Sequence, residues 1–195
     1  MNVDYIFPTP IWSVNLDIDL NPIRNYIYNL SNISSGRKVS NVGGWQSSEF
    51  FVSETTNENI RSLLKLIKRY LKVSYSDYGF SEDVEIDNYW FNINYPGNSN
   101  VEHIHSRCFL SGTFYIDVPE NSGNIVFKRS ALEDYAISSN IGSGTTKLSA
   151  SYWKYSVVPN QLMIFPGWIL HEVEKNNSSQ NRVSMAFNVR TKTWK

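Results

Sequence analysis

Only three histidines occur among the 195 residues, and their spacing is the first sign of chemistry. His103 and His105 flank Ile104. On a strand, residues two apart project to one face, so both imidazoles would point one way and Ile104 the other. His171 opens a later strand, after Phe165-Pro166-Gly167-Trp168-Ile169-Leu170. Two ligands from one strand and one from a distant strand can meet inside a small barrel and hold a metal, with open positions opposite. Imidazole suits iron, zinc, copper or nickel, and a three-ligand facial set with open positions suits non-haem Fe(II) oxygen chemistry. A lone histidine is more often an ordinary hydrogen-bonded residue. The whole histidine complement, arranged as His-x-His plus a late strand histidine, favours a metal.

Composition narrows the class of protein around that set. Eighteen basic and eighteen acidic side chains cancel, which argues against electrostatic capture of nucleic acid or anionic membrane. No run of 18 apolar residues occurs, and the start, MNVDYIFPTP, lacks a basic-then-apolar signal pattern. The expectation is a non-secreted protein of the cytoplasm. A single cysteine, Cys108, excludes an internal disulfide framework and a cysteine zinc cluster. Aromatic residues at 14% fit a β-rich domain better than a helical bundle.

The elements that must position the histidines follow from periodicity. Residues 1–195 read as one domain, with a mixed part over 1–84 and a β core over 85–195. Ile6 to Leu16 reads as a proline-interrupted edge strand. Asn21-Pro22 opens a short helix, with Asn21 as its cap. A second helix is predicted from about Asn57 to Val73, with Ile60, Leu63, Leu64, Ile67 and Leu71 on one face. Thr55 and Glu58 have capping-box spacing, and Lys65, Lys68, Arg69 and Lys72 load its C-terminal half with cations. From residue 85 eight short strands are expected: Glu85–Tyr95, Asn100–His105, Leu110–Val118, Asn124–Lys128, Tyr152–Val158, Gln161–Phe165, His171–Glu174 and Arg182–Thr191. This grammar predicts a mainly β double-stranded β-helix, a jelly-roll or cupin-like barrel, with helices packed outside. Ala131–Ser151, rich in Ser, Gly, Asn and Thr, reads as a loop at one mouth.

With these residues in view, the chain resembles the 2-oxoglutarate/Fe(II)-dependent dioxygenase superfamily, particularly its small prolyl-hydroxylase-like bacterial and phage members. The resemblance covers roughly residues 88 to 190. Asn92-Ile93-Asn94-Tyr95-Pro96-Gly97, then five residues and His103, is similar to the approach to the first metal ligand, although Tyr is usual where Asn94 stands. Leu110 to Ile116 resembles the next barrel strand, and His171 and Arg182, eleven apart, match the distal ligand and the residue that binds the far carboxylate of 2-oxoglutarate. Arg182-Val183-Ser184 matches an R-x-S pattern in which the serine helps hold that carboxylate. The resemblance therefore implies Fe(II) as metal, with 2-oxoglutarate and O2 as cosubstrates. It also implies oxidative decarboxylation to succinate and CO2 coupled to hydroxylation of a peptide side chain or small molecule.

The chemistry of Arg182 supports its role separately. A buried dicarboxylate needs a permanently charged partner, and guanidinium engages carboxylate through two hydrogen bonds. Strand alternation puts Arg182, Ser184 and Ala186 on one face and Val183, Met185 and Phe187 on the other. Asn92 and Asn94 share a face and are candidates to donate to the cosubstrate, and the Tyr115 hydroxyl is a candidate to reach it. Trp45, beside Gly43-Gly44, is a candidate substrate contact. Trp90, Phe127, Phe165 and Trp168 read as packing, Cys108 as a small buried hydrophobe, and Arg190 as solvent-exposed.

One position departs from the family pattern: His105 stands where the resemblance calls for Asp or Glu. Three readings follow. His105 is the third ligand, or a water takes that place with His105 behind it, or the site has lost activity; same-face geometry favours the first. A neutral imidazole there leaves the centre one charge more positive than the usual triad. Glu102 and Glu172 are adjacent carboxylates, but alternation points them away. Two rival functions stand beside the oxygenase: a non-catalytic β-sandwich binding or structural module, and a three-histidine metal dioxygenase without 2-oxoglutarate, in which Arg182 binds a substrate carboxylate.

Overall fold

A computed structural model describes residues 1–81, 83–138 and 145–191. Two antiparallel sheets face one another. All eight strands expected after residue 85 form, each within two or three residues of its anticipated ends. They are β5 (Val84–Asn94), β6 (Ser99–His103), β7 (Leu110–Asp117), β8 (Ile125–Lys128), β9 (Tyr152–Tyr155), β10 (Gln161–Pro166), β11 (His171–Val173) and β12 (Arg182–Thr191). Short strands β1 (Trp12–Asn15), β2 (Asn41–Val42), β3 (Trp45–Gln46) and β4 (Phe50–Phe51) extend the edges. The larger sheet runs β1-β10-β7-β12-β5-β3, with β4 also on β5, and the smaller runs β2-β6-β11-β8-β9. Four core strands in each sheet make the double-stranded β-helix.

The larger sheet is covered on both faces. On its outer face the helices α1 (Asn21–Ile33) and α2 (Glu58–Asp77) bury Ile23, Ile27, Ile60, Leu63, Leu64, Ile67 and Leu71 against Phe91, Ile93, Phe114, Val183, Met185 and Phe187. Each such side chain contributes roughly 1.5–3 kcal/mol of transfer free energy. The alternate residues of the same strands, Trp90, Asn92, Asn94, Ser184 and Ala186 among them, turn inward. Alternation in β5 and β12 thus assigns one set to the core and the other to a cavity between the sheets.

Gly112 on β7 shows how closely the neighbouring strands β10 and β12 of the larger sheet crowd it. A Cβ there would meet Phe187 Cζ at 2.3 Å and Met163 O at 2.6 Å. Gly112→Ala is expected to lose roughly 1–3 kcal/mol by overpacking, read as a lower midpoint in thermal or urea unfolding.

Several expectations need correction. The proline-bearing segment before β1 is not a strand. Pro8 and Pro10 lack N–H donors, Phe7 sits at φ 58°, and pairing with β10 begins only at Trp12. Asn21 does not cap α1: it is the first helical residue, and its N–H is accepted by Asp19 Oδ1 at 3.0 Å. In α2 the cap is Asn57, whose side chain accepts from the N–H of Asn59 and Ile60, while Thr55 Oγ1 instead bonds Phe51 O and the Tyr89 hydroxyl. The helix continues to Asp77, so its cations lie mid-helix, where Lys68 and Lys72 pair with Asp83. Residues 131–151 are not all loop, since Ala131–Ser138 forms α3; residues 139–144 lie outside the described residues. Trp45 is no substrate contact. It is buried in β3 beside Ile93, with its indole N–H donating to Ser34 O at 2.9 Å.

Candidate active site

The three histidines arrive at one point by strand register. His171 on β11 pairs across to His103 on β6 and, on its other side, to Phe127 on β8. β6 ends at His103. His105 lies beyond it in an extended segment, held where its N–H donates to Gly167 O at 2.8 Å. One ring nitrogen from each histidine falls within 4.8 Å of the others. His105 Nε2 and His171 Nε2 stand 3.3 Å apart. The His103 and His171 ring centroids are 4.4 Å apart, and those of His105 and His171 5.1 Å with the rings nearly parallel.

Two backbone carbonyls set which nitrogens are free. His103 Nδ1 lies 2.7 Å from Val101 O and His171 Nδ1 lies 2.9 Å from Ile169 O. A carbonyl only accepts, so Nδ1 carries the proton in each ring and Nε2 keeps its lone pair, the state a metal ligand needs. The charge state agrees. Burial, then the neighbouring His171 and His103, pushes His105 down to about 3. Burial and His103 push His171 down to about 4, and burial lowers His103. All three imidazoles are neutral near pH 7. Phe165 packs edge-on against His171 at 4.9 Å, with Phe127 at 5.9 Å, and Trp90 stacks on His105 at 5.7 Å, so aromatic walls fix the rings.

Across the cavity the larger sheet presents the other candidates in rows. Ser184 lies between Asn92 on β5 and Tyr115 on β7, and Arg182 pairs with Asn94. His103, His105, His171, Arg182, Ser184, Asn92, Asn94 and Tyr115 all line this one cavity. Arg182 is only 2% exposed. Its Nη1 donates to Ser122 O at 2.8 Å and Gly123 O at 3.3 Å, whereas Nη2 is buried with no partner. Burial lowers the guanidinium below its ordinary range and raises the Tyr115 phenol, with which it interacts. Asn94 spends its amide N–H on Asn100 Oδ1 at 3.1 Å, while the Asn92 amide oxygen is buried and unpartnered.

Among the described residues, no carboxylate lines the cavity. Glu102 and Glu172 turn to the outer face, where both pair with Lys128. Arg190 is exposed and paired with Asp87 at 2.9 Å. Cys108 is half-buried, its thiol near Ser106 O, and Trp168 is 56% exposed, so neither is core. A far larger groove of about 680 Å³ lies outside the sandwich between α2 and β5, but no histidine reaches it. Sequence reasoning missed Asn100, which supports Asn94, and the Ser122–Gly123 carbonyls that aim Arg182.

A family model of 2OG-Fe(II) oxygenases matches residues 88–188, a span that includes every sequence-predicted residue lining the cavity. The chain belongs to the 2OG-Fe(II) oxygenase family. Enzymes of this family use Fe(II) and 2-oxoglutarate with O2, so a non-catalytic module is set aside. No curated protein sequence matches the chain. Solved structures share its fold at low identity. A Pseudomonas putida prolyl-4-hydroxylase is 12% identical, with 94% of each chain covered and a TM-score of 0.64. A viral collagen prolyl hydroxylase from Paramecium bursaria Chlorella virus-1, a complex with 2-oxoglutarate, is 11% identical over 93% of this chain and 96% of that one, TM-score 0.61. HygX from Streptomyces hygroscopicus, with nickel and 2-oxoglutarate bound, is 8% identical over 95% and 84%, TM-score 0.65. Among the described residues no helix is long and apolar enough to cross a membrane.

The donor types lining the cavity suit both groups that the family uses. Three neutral imidazoles are a donor set for a divalent transition metal. A buried guanidinium with a free N–H, beside a serine and a tyrosine hydroxyl, is a donor set for a carboxylate.

Proposed function

We propose that this family member hydroxylates a peptide side chain or a small molecule, holding Fe(II) on His103, His105 and His171 and 2-oxoglutarate against Arg182 and Ser184. The observation that carries the reading is the convergence of three ring nitrogens within 4.8 Å, in the cavity where Arg182 keeps an unpartnered Nη2. Fe(II) with 2-oxoglutarate and O2 supplies oxidative decarboxylation coupled to hydroxylation of a C–H bond. The chain's part is binding, orientation and exclusion of water. Val101 and Ile169 carbonyls keep two ligand nitrogens bare, and the Ser122 and Gly123 carbonyls brace the guanidinium. Asn92 and Tyr115 flank Ser184 on the neighbouring strands and line the cavity in which the cosubstrate would lie. Trp168 and Ile104, both exposed and close in sequence to the ligands, offer substrate an apolar landing. The prolyl hydroxylases among the fold neighbours favour a peptide, and HygX, with its bound 2-oxoglutarate, shows the fold accepting that cosubstrate elsewhere.

The test is anaerobic titration of the Fe(II)-loaded protein with 2-oxoglutarate, followed by the weak visible charge-transfer band of the chelate. The band is expected with Fe(II) and not with Zn(II). Bound iron without a band would move the assignment to a three-histidine metal oxygenase that ignores 2-oxoglutarate. That second reading draws on the lack, among the described residues, of any carboxylate lining the cavity.

A further inference from the structure

The smaller sheet carries an irregularity immediately before His103. In β6 Asn100 lies opposite Val173 and His103 opposite His171, so Val101 and Glu102 together oppose the single residue Glu172. Two residues against one make a β-bulge, a device that re-aims side chains beside functional sites. Asn100 and His103 are three apart, and in a regular strand they would face opposite sides of the sheet. Through the bulge both line the cavity. The first bulged residue is tied by its backbone: Val101 N–H donates to Ser40 O at 2.8 Å, and Val101 O lies 2.7 Å from His103 Nδ1. The second, Glu102, is held from the outer face. Lys128 on β8 pairs with Glu102 and, at 3.2 Å, with Glu172. Since β11 lies between β6 and β8, this one ammonium spans three adjacent strands.

The competing register shows what that contact does. With Asn100 kept opposite Val173 and no bulge, Val101 would meet Glu172 and Glu102 would meet His171. Residues directly opposite share a face, so the Glu102 carboxylate would enter the cavity and His103 would leave it. The bulge leaves a residue unpaired in the ladder, so the bulged form needs an offsetting contact. Lys128 supplies one, because it meets both carboxylates only while Glu102 and Glu172 share the outer face. We infer that Lys128 is a positioning residue: by clamping Glu102 and Glu172 on the outer face it holds the β6 bulge, and so keeps His103 rather than Glu102 beside His171. The inference rests on the metal reading above.

The test uses two readouts on the full chain. The first is Co(II) titration of Lys128→Met, which keeps much of the side chain's reach and loses its charge. Both ion pairs are partly exposed and such pairs contribute little singly, so Co(II) binding is expected to weaken about 3- to 10-fold. Lys128→Arg keeps a cation for both carboxylates and is expected to stay within about twofold of wild type. The second readout is backbone hydrogen exchange in metal-free protein. Exchange over residues 101–103 should quicken in Lys128→Met while that of β7 does not change. A merely structural Lys128 would lower the unfolding midpoint and leave the Co(II) affinity of the folded chain where it was. That result overturns the inference, as does a Lys128→Arg chain that binds Co(II) as weakly as Lys128→Met. Glu172→Gln, which loosens the clamp from its far side, serves with the same expectations if Lys128→Met disturbs folding. A wild-type chain that holds no Co(II) overturns the metal reading, and hydrogen exchange then still decides whether Lys128 holds the bulge.

Discussion

His171→Ala is expected to abolish Fe(II) binding and, with it, all 2-oxoglutarate turnover. His171 is the middle ring of the set, register-paired with His103 and 3.3 Å from the ring nitrogen of His105. It is also buried, so no surface group replaces it. Since outer partners of ligands alone account for 10–100-fold, the loss from removing a ligand should exceed about 100-fold in metal affinity. Thermal unfolding provides a readout independent of turnover. A metal at about a hundred times its dissociation constant adds roughly 2.7 kcal/mol, which is about 5–10 °C in Tm for a chain of this size. Wild type should show that rise with Co(II), and His171→Ala should not. His105→Ala decides the point that the sequence left open. It should lose metal as His171→Ala does; retention of iron with wild-type affinity would place His105 outside the coordination shell.

Arg182→Leu is expected to leave metal binding nearly intact and to raise the 2-oxoglutarate requirement steeply. The guanidinium is almost wholly buried, braced by two carbonyls, lines the cavity, and keeps one nitrogen without a hydrogen-bond partner. Truncating one partner of a buried, hydrogen-bonded charge pair costs roughly 2–5 kcal/mol, or about 30- to several-thousand-fold in the 2-oxoglutarate dissociation constant. Arg182→Lys should recover little, because an ammonium is a point charge and cannot form the planar two-bond contact. Stability should move in a different sense from binding. In the cosubstrate-free chain Arg182 is a desolvated charge that forms no ion-pair contact among the described residues and feels Glu174 only at longer range, and its replacement by an apolar residue of similar reach removes that penalty while orphaning two carbonyls. The unfolding midpoint should therefore change far less than the 2-oxoglutarate affinity. Equal loss of metal and cosubstrate affinity would show that Arg182 supports the fold rather than the cosubstrate.

Much of this architecture was legible before any coordinates. Apolar period-two runs from residue 84 onward marked the eight strands, and i, i+3, i+4 spacing marked the face of α2 that covers the larger sheet. Strand alternation alone separated Arg182 and Ser184 from Val183, Met185 and Phe187, and pointed Glu102 and Glu172 outward. The misreadings came where local chemistry had competing solutions. Asp19 supplied the acceptor that let α1 begin at Asn21, and Asn57 displaced Thr55 as the cap of α2. Trp45 follows two glycines in the left-handed region, which suggested a free loop, but those glycines turn the chain into β3 and carry the indole into the core.

The sequence by itself determined the periodicities, the ligand types and the family, because side-chain direction along a strand depends only on parity and the family motif is contiguous over residues 88–188. Tertiary structure alone decided which groups meet. His105 joins the set only because Gly167 holds its backbone and Trp90 stacks on its ring. Arg182 is left with one unpartnered nitrogen beside two braced bonds only because Ser122 and Gly123, about sixty residues away, take the other nitrogen. Asn94 and Asn92, alike in sequence, divide into a braced amide and an unpartnered one only because Asn100 stands beside the first. Each of these depends on cross-strand register and on which hydrogen bonds remain unmade after folding, quantities set by long-range pairing and carried by no single stretch of chain.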